Sequence, residues 1–163
     1  MERPVVLVVV ASRSDLEAVA ETRETLEWFG VPAQFTVASA HREPEKVRTL
    51  ARKARERGFR VIVAAAGMAA HLAGAMASHT TLPVVAIPLA SEPFGALDSL
   101  LSTVRMPSGV PVGVVSPGRA GAVNAAILAV EILSLTDRSL VPRLVQFRKG
   151  LTSASRGGRK RTR

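Results

Sequence analysis

Five short apolar runs recur along the chain, and each is followed by a segment with helical spacing. Val5–Val10 is apolar throughout, the pattern of a strand buried on both faces. Leu16, Val19, Leu26 and Phe29 then share one helical face, and Gly30 and Pro32 end that helix. Gln34–Val37 predicts the second strand. Pro44 opens a second helix expected to run to about Arg57, with Val47, Leu50, Ala51 and Ala54 turned inward. Arg60–Ala65, Pro83–Ile87 and Val112–Val115 predict strands three to five. A small-residue helix follows the third, and Gly95–Val104 is a helix after the fourth, with Leu97, Leu100, Leu101 and Val104 apolar. After the fifth, Ala122–Leu135 reads as a helix interrupted only by Asn124, Glu131 and Ser134. A helix apolar nearly all round needs cover on more than one side, and a partner subunit is expected to supply part of it. Val141, Leu144, Val145 and Phe147 predict one more helix. Strands alternating with helices predict an α/β fold, a three-layer sandwich with a parallel five-stranded sheet at its centre.

The 163 residues suit one domain, placed at 1–150 and including the last helix, with 151–163 expected as a basic, disordered tail. No cysteine is present, which excludes disulfides and thiolate metal sites. No apolar run approaches the roughly 20 residues of a membrane span, and Val5–Val10 is too short and β-branched for a signal peptide. A cytoplasmic protein without membrane contact is the expectation. The net charge of +9 is concentrated at one end, because no acid follows Asp137 while nine basic residues do. The remaining body, 1–137, is neutral. The tail has no interleaved aromatic to stack on bases, so a solvated tail is preferred to a nucleic-acid site.

Chemistry gathers where strands turn into helices. Ser39-Ala40-His41-Arg42-Glu43-Pro44 places a hydroxyl, an imidazole and a guanidinium side by side at one such junction. Imidazole gains and loses a proton near neutral pH, and arginine beside free amides at a helix start seats phosphate or carboxylate. The first junction, Ala11-Ser12-Arg13-Ser14-Asp15, offers an anion site or simply two helix caps. The third, Ala66 to Gly74, is rich in small residues and carries His71, either a structural hydrogen-bonder or a ligand group; His79 reads as structural. In a parallel sheet these strand ends share one edge, so Ser12, His41 and His71 are expected to converge. No P-loop or dinucleotide fingerprint is present, and three histidines at these spacings do not predict a metal site.

These motifs together resemble the PurE family, class I N5-carboxyaminoimidazole ribonucleotide mutases, over roughly residues 4–137. The family's Gly-Ser-x-Ser-Asp is here Ala11 to Asp15, its Ser-Ala-His-Arg-x-Pro is intact at Ser39 to Pro44, and its Gly-Ala-Gly-Gly-Ala-Ala-His-Leu-Pro-Gly is Ala65 to Gly74. Asp98-Ser99-Leu100, Met106 to Val112 and Ala120 to Ala126 are also similar. The resemblance implies a flavodoxin-like fold and a reaction in purine biosynthesis. A carboxylate moves from the exocyclic nitrogen of the ribonucleotide to ring carbon 4, through carbon dioxide released and recaptured in a closed pocket, without metal, ATP or other cofactor. It implies His41 as general acid–base and His71 as shaping the carboxylate pocket. Ser14, Ser39 and Arg42 would hold the 5-phosphate, with Ala40 between them. Ser12, Asp15 and the backbone of the third loop (Gly67, Met68, Ala69 and Leu72) would orient ribose and carboxylate. Class I members are octamers, so a homo-octamer is expected.

The sequence departs from the family pattern at Ala11 and Ala65 for glycine, Ala73 for proline and Met68 for glycine. Met68 stands where the family leaves room for ligand. It keeps two alternatives open: a carboxylase using free carbon dioxide and aminoimidazole ribonucleotide, and a silent nucleotide-binding paralogue.

Overall fold

A computed structural model of the chain describes residues 3–157. Strands β1 (Val6–Val10), β2 (Ala33–Val37), β3 (Val61–Ala66), β4 (Val84–Pro88) and β5 (Gly113–Val114) form one all-parallel sheet in the order β2-β1-β3-β4-β5. β1 pairs in register with β2 on one side, Val6 opposite Ala33, and with β3 on the other, Val6 opposite Val61. This is the flavodoxin-like strand order.

Alternation along the strands separates two cores. Val6, Val8 and Val10 join Val61, Val63, Val85 and Ile87 on one face of the sheet. There they meet α1 (Ala20–Trp28) and α5 (Gly118–Ser134). Leu7 and Val9 join Ile62, Ala64 and Ala86 on the other face, against α2 (Pro44–Lys53) and α3 (Leu72–Ala77). Side chains in a strand alternate between faces, so a run that is apolar at every position fits only a sheet covered on both. α4 (Leu97–Val104) lies beside β4 and β5, and α6 (Leu140–Gly157) packs on α5.

The boundaries differ from the sequence expectation in instructive places. The first helix begins as a 3-10 segment, Arg13–Val19, before α1. α2 ends at Lys53 rather than near Arg57; turns then lead to Gly58, whose φ of +94° reverses the chain. β5 is only two residues long, an edge strand. α5 starts at Gly118, four residues before Ala122, because Gly121 lets its first turn press on the preceding loop. A Cβ at Gly121 would stand 1.5 Å from the Ser116 carbonyl oxygen. α6 continues past residue 150, where the sequence placed the start of a tail. The cluster Arg159, Lys160, Arg161 and Arg163 lies outside the described residues.

Much of the cover of α5 comes from the chain itself. It is supplied by the sheet, by α1 and by Leu140, Leu144 and Phe147 of α6. Thr22 of α1 donates a buried hydrogen bond to the Ala122 carbonyl, 2.9 Å. Phe147 packs edge-on to Trp28 at 5.3 Å, and Arg143 of α6 donates to the Phe29 carbonyl at the end of α1. Val123, Ile127, Leu128 and Ile132 stay only half-buried, so part of the helix's apolar surface is left for other cover. The predicted consequence of the tight start of α5 is that Gly121→Ala lowers unfolding stability by about 1–3 kcal/mol or more, the cost of overpacking a filled site. Chemical denaturation would measure it, and an unchanged midpoint would show that the loop yields.

Candidate active site

Chain direction along the sheet reverses between β1 and β3: β2 lies to one side of β1, and the rest of the sheet continues on the other. At such a switch point the loops leaving the strands part and open a crevice. Three junctions meet there. Ala38 N–H donates to Val10 O at 2.9 Å, holding the β2–α2 loop to the end of β1. Ala11 N–H donates to Ala65 O at 3.1 Å, holding the first loop to the end of β3. The convergence of the three loops is thus fixed by backbone hydrogen bonds continuing the sheet.

His41 and His71 meet across the crevice. Their Nε2 and Nδ1 atoms are 2.5 Å apart and the rings are nearly perpendicular, at 78°. At that separation one ring donates an N–H and the other accepts, so each histidine sets the orientation and tautomer of its neighbour. His71 occupies the N-cap position of α3, one residue ahead of the helix. His79 lies near the far end of α3, apart from the pair, as the sequence placed it.

Ser39 is the buried member of its stretch. Its Oγ accepts from the Arg42 backbone N–H at 3.3 Å and from Arg42 Nε at 3.4 Å, which steers the guanidinium beside His41. Its own N–H donates to Glu43 Oε2 at 3.4 Å. Glu43 also takes an ion pair from Lys46 Nζ at 2.9 Å. The Lys46 contact, with the Ser39 N–H second, holds the Glu43 carboxyl below the ordinary glutamate range. In the first loop, Ser12 and Ser14 hydroxyls are 2.5 Å apart, and Asp15 accepts the Ser12 N–H at 3.0 Å. Asp15 thereby performs one half of a capping box, so helix capping and a hydroxyl pair coexist at this junction. Ala40 lies between Ser39 and His41 in the same turn.

The third loop is conformationally unusual. Met68 and Ala70 both have positive φ, +55° and +44°. Gly67 precedes them in a tight place, since a Cβ there would approach Leu89 O to 3.3 Å. Ser91 Oγ accepts the Met68 N–H at 3.1 Å, and Ser102 donates to the Ala69 carbonyl. Leu72, in the first turn of α3, is buried in the core below, so its side chain supports the loop and faces no ligand. A cleft of about 340 Å³ lies behind His71, lined by Gly74, Ser102 and Met106 among others. Ser91 and Ser102 carried no role in the sequence reading. Ser91 follows β4 at the same sheet edge, and that position was the available signal.

His41, Arg42, Met68, Ala69 and His71 are all exposed. Within one chain, the crevice stands open to water. Among the described residues no cluster of histidine and carboxylates is placed to hold a metal ion, and no helix is long and apolar enough to cross a membrane.

Paired imidazoles, an arginine held by Ser39 and a pair of serine hydroxyls at the switch point of a flavodoxin-like α/β domain suit the binding of an anionic small molecule and proton transfer on it. The chain belongs to the AIR carboxylase family, whose model matches residues 5–154. The match thus reaches beyond the motifs into α6. It is 45% identical to the N5-carboxyaminoimidazole ribonucleotide mutase of Brucella melitensis, over 91% of this chain and 92% of that one. It is 46% identical to the mutase of Pyrococcus horikoshii, over 92% of this chain and 84% of that one. The fold matches the crystal structure of Treponema denticola PurE with a TM-score of 0.86, at 24% identity, over 98% of this chain and 100% of that one.

The carboxylate of Glu43 yields a pH prediction. A depressed folded-state pKa means that the unfolded chain binds more protons across the acid range. The Glu43 contribution to stability is therefore present above the ordinary glutamate pKa and lost as pH falls through the lower folded value. NMR titration should place its midpoint below that of a free glutamate, and Lys46→Ala should move it upward. An unshifted midpoint in the unsubstituted protein would remove the Lys46 contact from the site's description.

Proposed function

We propose that this chain is an N5-carboxyaminoimidazole ribonucleotide mutase of purine biosynthesis, an isomerase that moves a carboxylate from the exocyclic nitrogen to ring carbon 4. The observation that carries the assignment of roles is the 2.5 Å contact between His41 and His71 at the switch point, with Arg42 held beside it by Ser39. The named mutases that share 45–46% of its sequence carry the assignment of the reaction.

His41 is the general acid–base. The bond between the carboxylate carbon and the exocyclic nitrogen breaks, its electron pair goes to nitrogen, and His41 supplies the proton that nitrogen takes up. Ring carbon 4 then attacks the freed carbon dioxide, and the proton on carbon 4 passes to His41. One proton leaves the imidazole and one returns, so the net change is isomerisation without an external acid or base. His71 fixes the tautomer and aim of His41 and lines the carboxylate pocket. Arg42 with Ser14 and Ser39 holds the 5-phosphate through charge-assisted and hydroxyl hydrogen bonds. Ser12, Asp15 and the backbone at Gly67, Met68 and Ala69 orient the ribose and the carboxylate.

The test is carboxylate transfer from N5-carboxyaminoimidazole ribonucleotide without ATP or metal. His41→Asn is expected to reduce kcat by about 100-fold or more, since general acid–base catalysis contributes 10²–10⁴. Turnover only with aminoimidazole ribonucleotide and free carbon dioxide would reassign the chain as a carboxylase. A folded protein inactive with both would leave the nucleotide-binding reading.

The same proposal includes a cytoplasmic location and a homo-octamer. A second surface that supports assembly, beside the half-buried residues of α5, is α4. Leu97, Leu101 and Val104 share one face of α4 and are 59%, 49% and 51% exposed, with Phe94 just before them. Contiguous exposed apolar residues of this kind favour an interface. Leu101→Glu is expected to shift the scattering mass toward smaller species while leaving the circular dichroism of the chain intact. A monomeric unsubstituted protein would refute the octamer.

A further inference from the structure

Met68 bears two separate costs. It is a residue with a Cβ held in the left-handed region, φ +55°, where glycine is the unstrained choice. It also leaves a large apolar side chain 67% exposed within the single chain. The backbone around it is pinned: its N–H is tied to Ser91 Oγ, the Ala70 N–H to Gly67 O, and the Ala69 carbonyl to Ser102. The loop therefore holds a fixed backbone and one free, flexible side chain. Strain and apolar exposure at a single position of a ligand edge point to a use for that side chain rather than to packing.

The site supplies the use. Carbon dioxide must persist between its release and its recapture, yet within one chain both histidines and the arginine are exposed. A methionine has three rotatable bonds, and its thioether makes favourable contact with aromatic rings. We propose that Met68 is a positioning residue for the carboxylate transfer: on binding, its side chain folds onto the five-membered heterocycle of the ribonucleotide and shields the released carbon dioxide from water. This rests on the mutase reading and adds to it a residue that the loop's backbone role does not require.

The experiment compares the unsubstituted enzyme with Met68→Gly and Met68→Leu, all as the full chain. Three quantities are read: thermal midpoint, kcat against KM, and the fraction of turnovers that end in aminoimidazole ribonucleotide because carbon dioxide has escaped. Met68→Gly is expected to raise or preserve the thermal midpoint, since it relieves the left-handed strain, while the escaping fraction rises several-fold. Met68→Leu, which keeps the apolar bulk, is expected to restore most of the retention. An active enzyme whose escaping fraction is the same in Met68→Gly overturns the shielding role and leaves the mutase reading standing. A folded unsubstituted protein without turnover overturns both. A Met68→Gly protein of lowered thermal midpoint assigns the side chain to packing and also overturns the proposal.

Discussion

The rest of the structure depends on β1 being closed on four sides. Its faces are buried by helices on both sides of the sheet, and its edges are hydrogen-bonded to β2 and β3 in matched register. No group along such a strand can reach a ligand. Only its carboxyl end can, and there the chain runs into Ser12 with β2 and β3 delivering His41 and His71 on either side. The position of the site is thus a consequence of burying four valines and one leucine in succession, and the candidate chemistry occupies the one edge that burial leaves available.

At that edge, order comes from short polar contacts. Ser39 is buried and spends its hydroxyl on Arg42, while Glu43 and Lys46 tie off the start of α2. Asp15 does the same for the first loop. These contacts set side chains without closing the crevice, so the site is preorganised and still accessible. Most of the stability is therefore carried away from the loops that line the crevice. The apolar β-strands resist unfolding, whereas the exposed residues of the three loops can change with little cost to the core.

Much of this was legible in the residues. Unbroken apolar runs at Val5–Val10 and, after Arg60, at Val61–Ala65 specified central strands, because only a doubly covered parallel strand tolerates them. Pro44 marked its helix start to the residue. The ends of α2 and of the first helix were less legible, because propensity continues past the point where the packing surface runs out. How much of α5 the chain itself covers was illegible for a related reason. Composition shows how much apolar surface a helix carries, but the docking of Phe147 and Leu144 on it depends on a return of the chain that no local pattern records.

The sequence by itself determined the layer architecture and the family and pointed to the candidate site residues, since periodicity and short motifs are local properties of the chain. Only the tertiary structure decided that His71 bonds His41, that Ser91 and Ser102 anchor the third loop, and that Met68 sits in a left-handed conformation. Each of those depends on contacts between segments about 20 to 33 residues apart, or on a backbone angle set by such contacts, and the sheet's strand order brings them together.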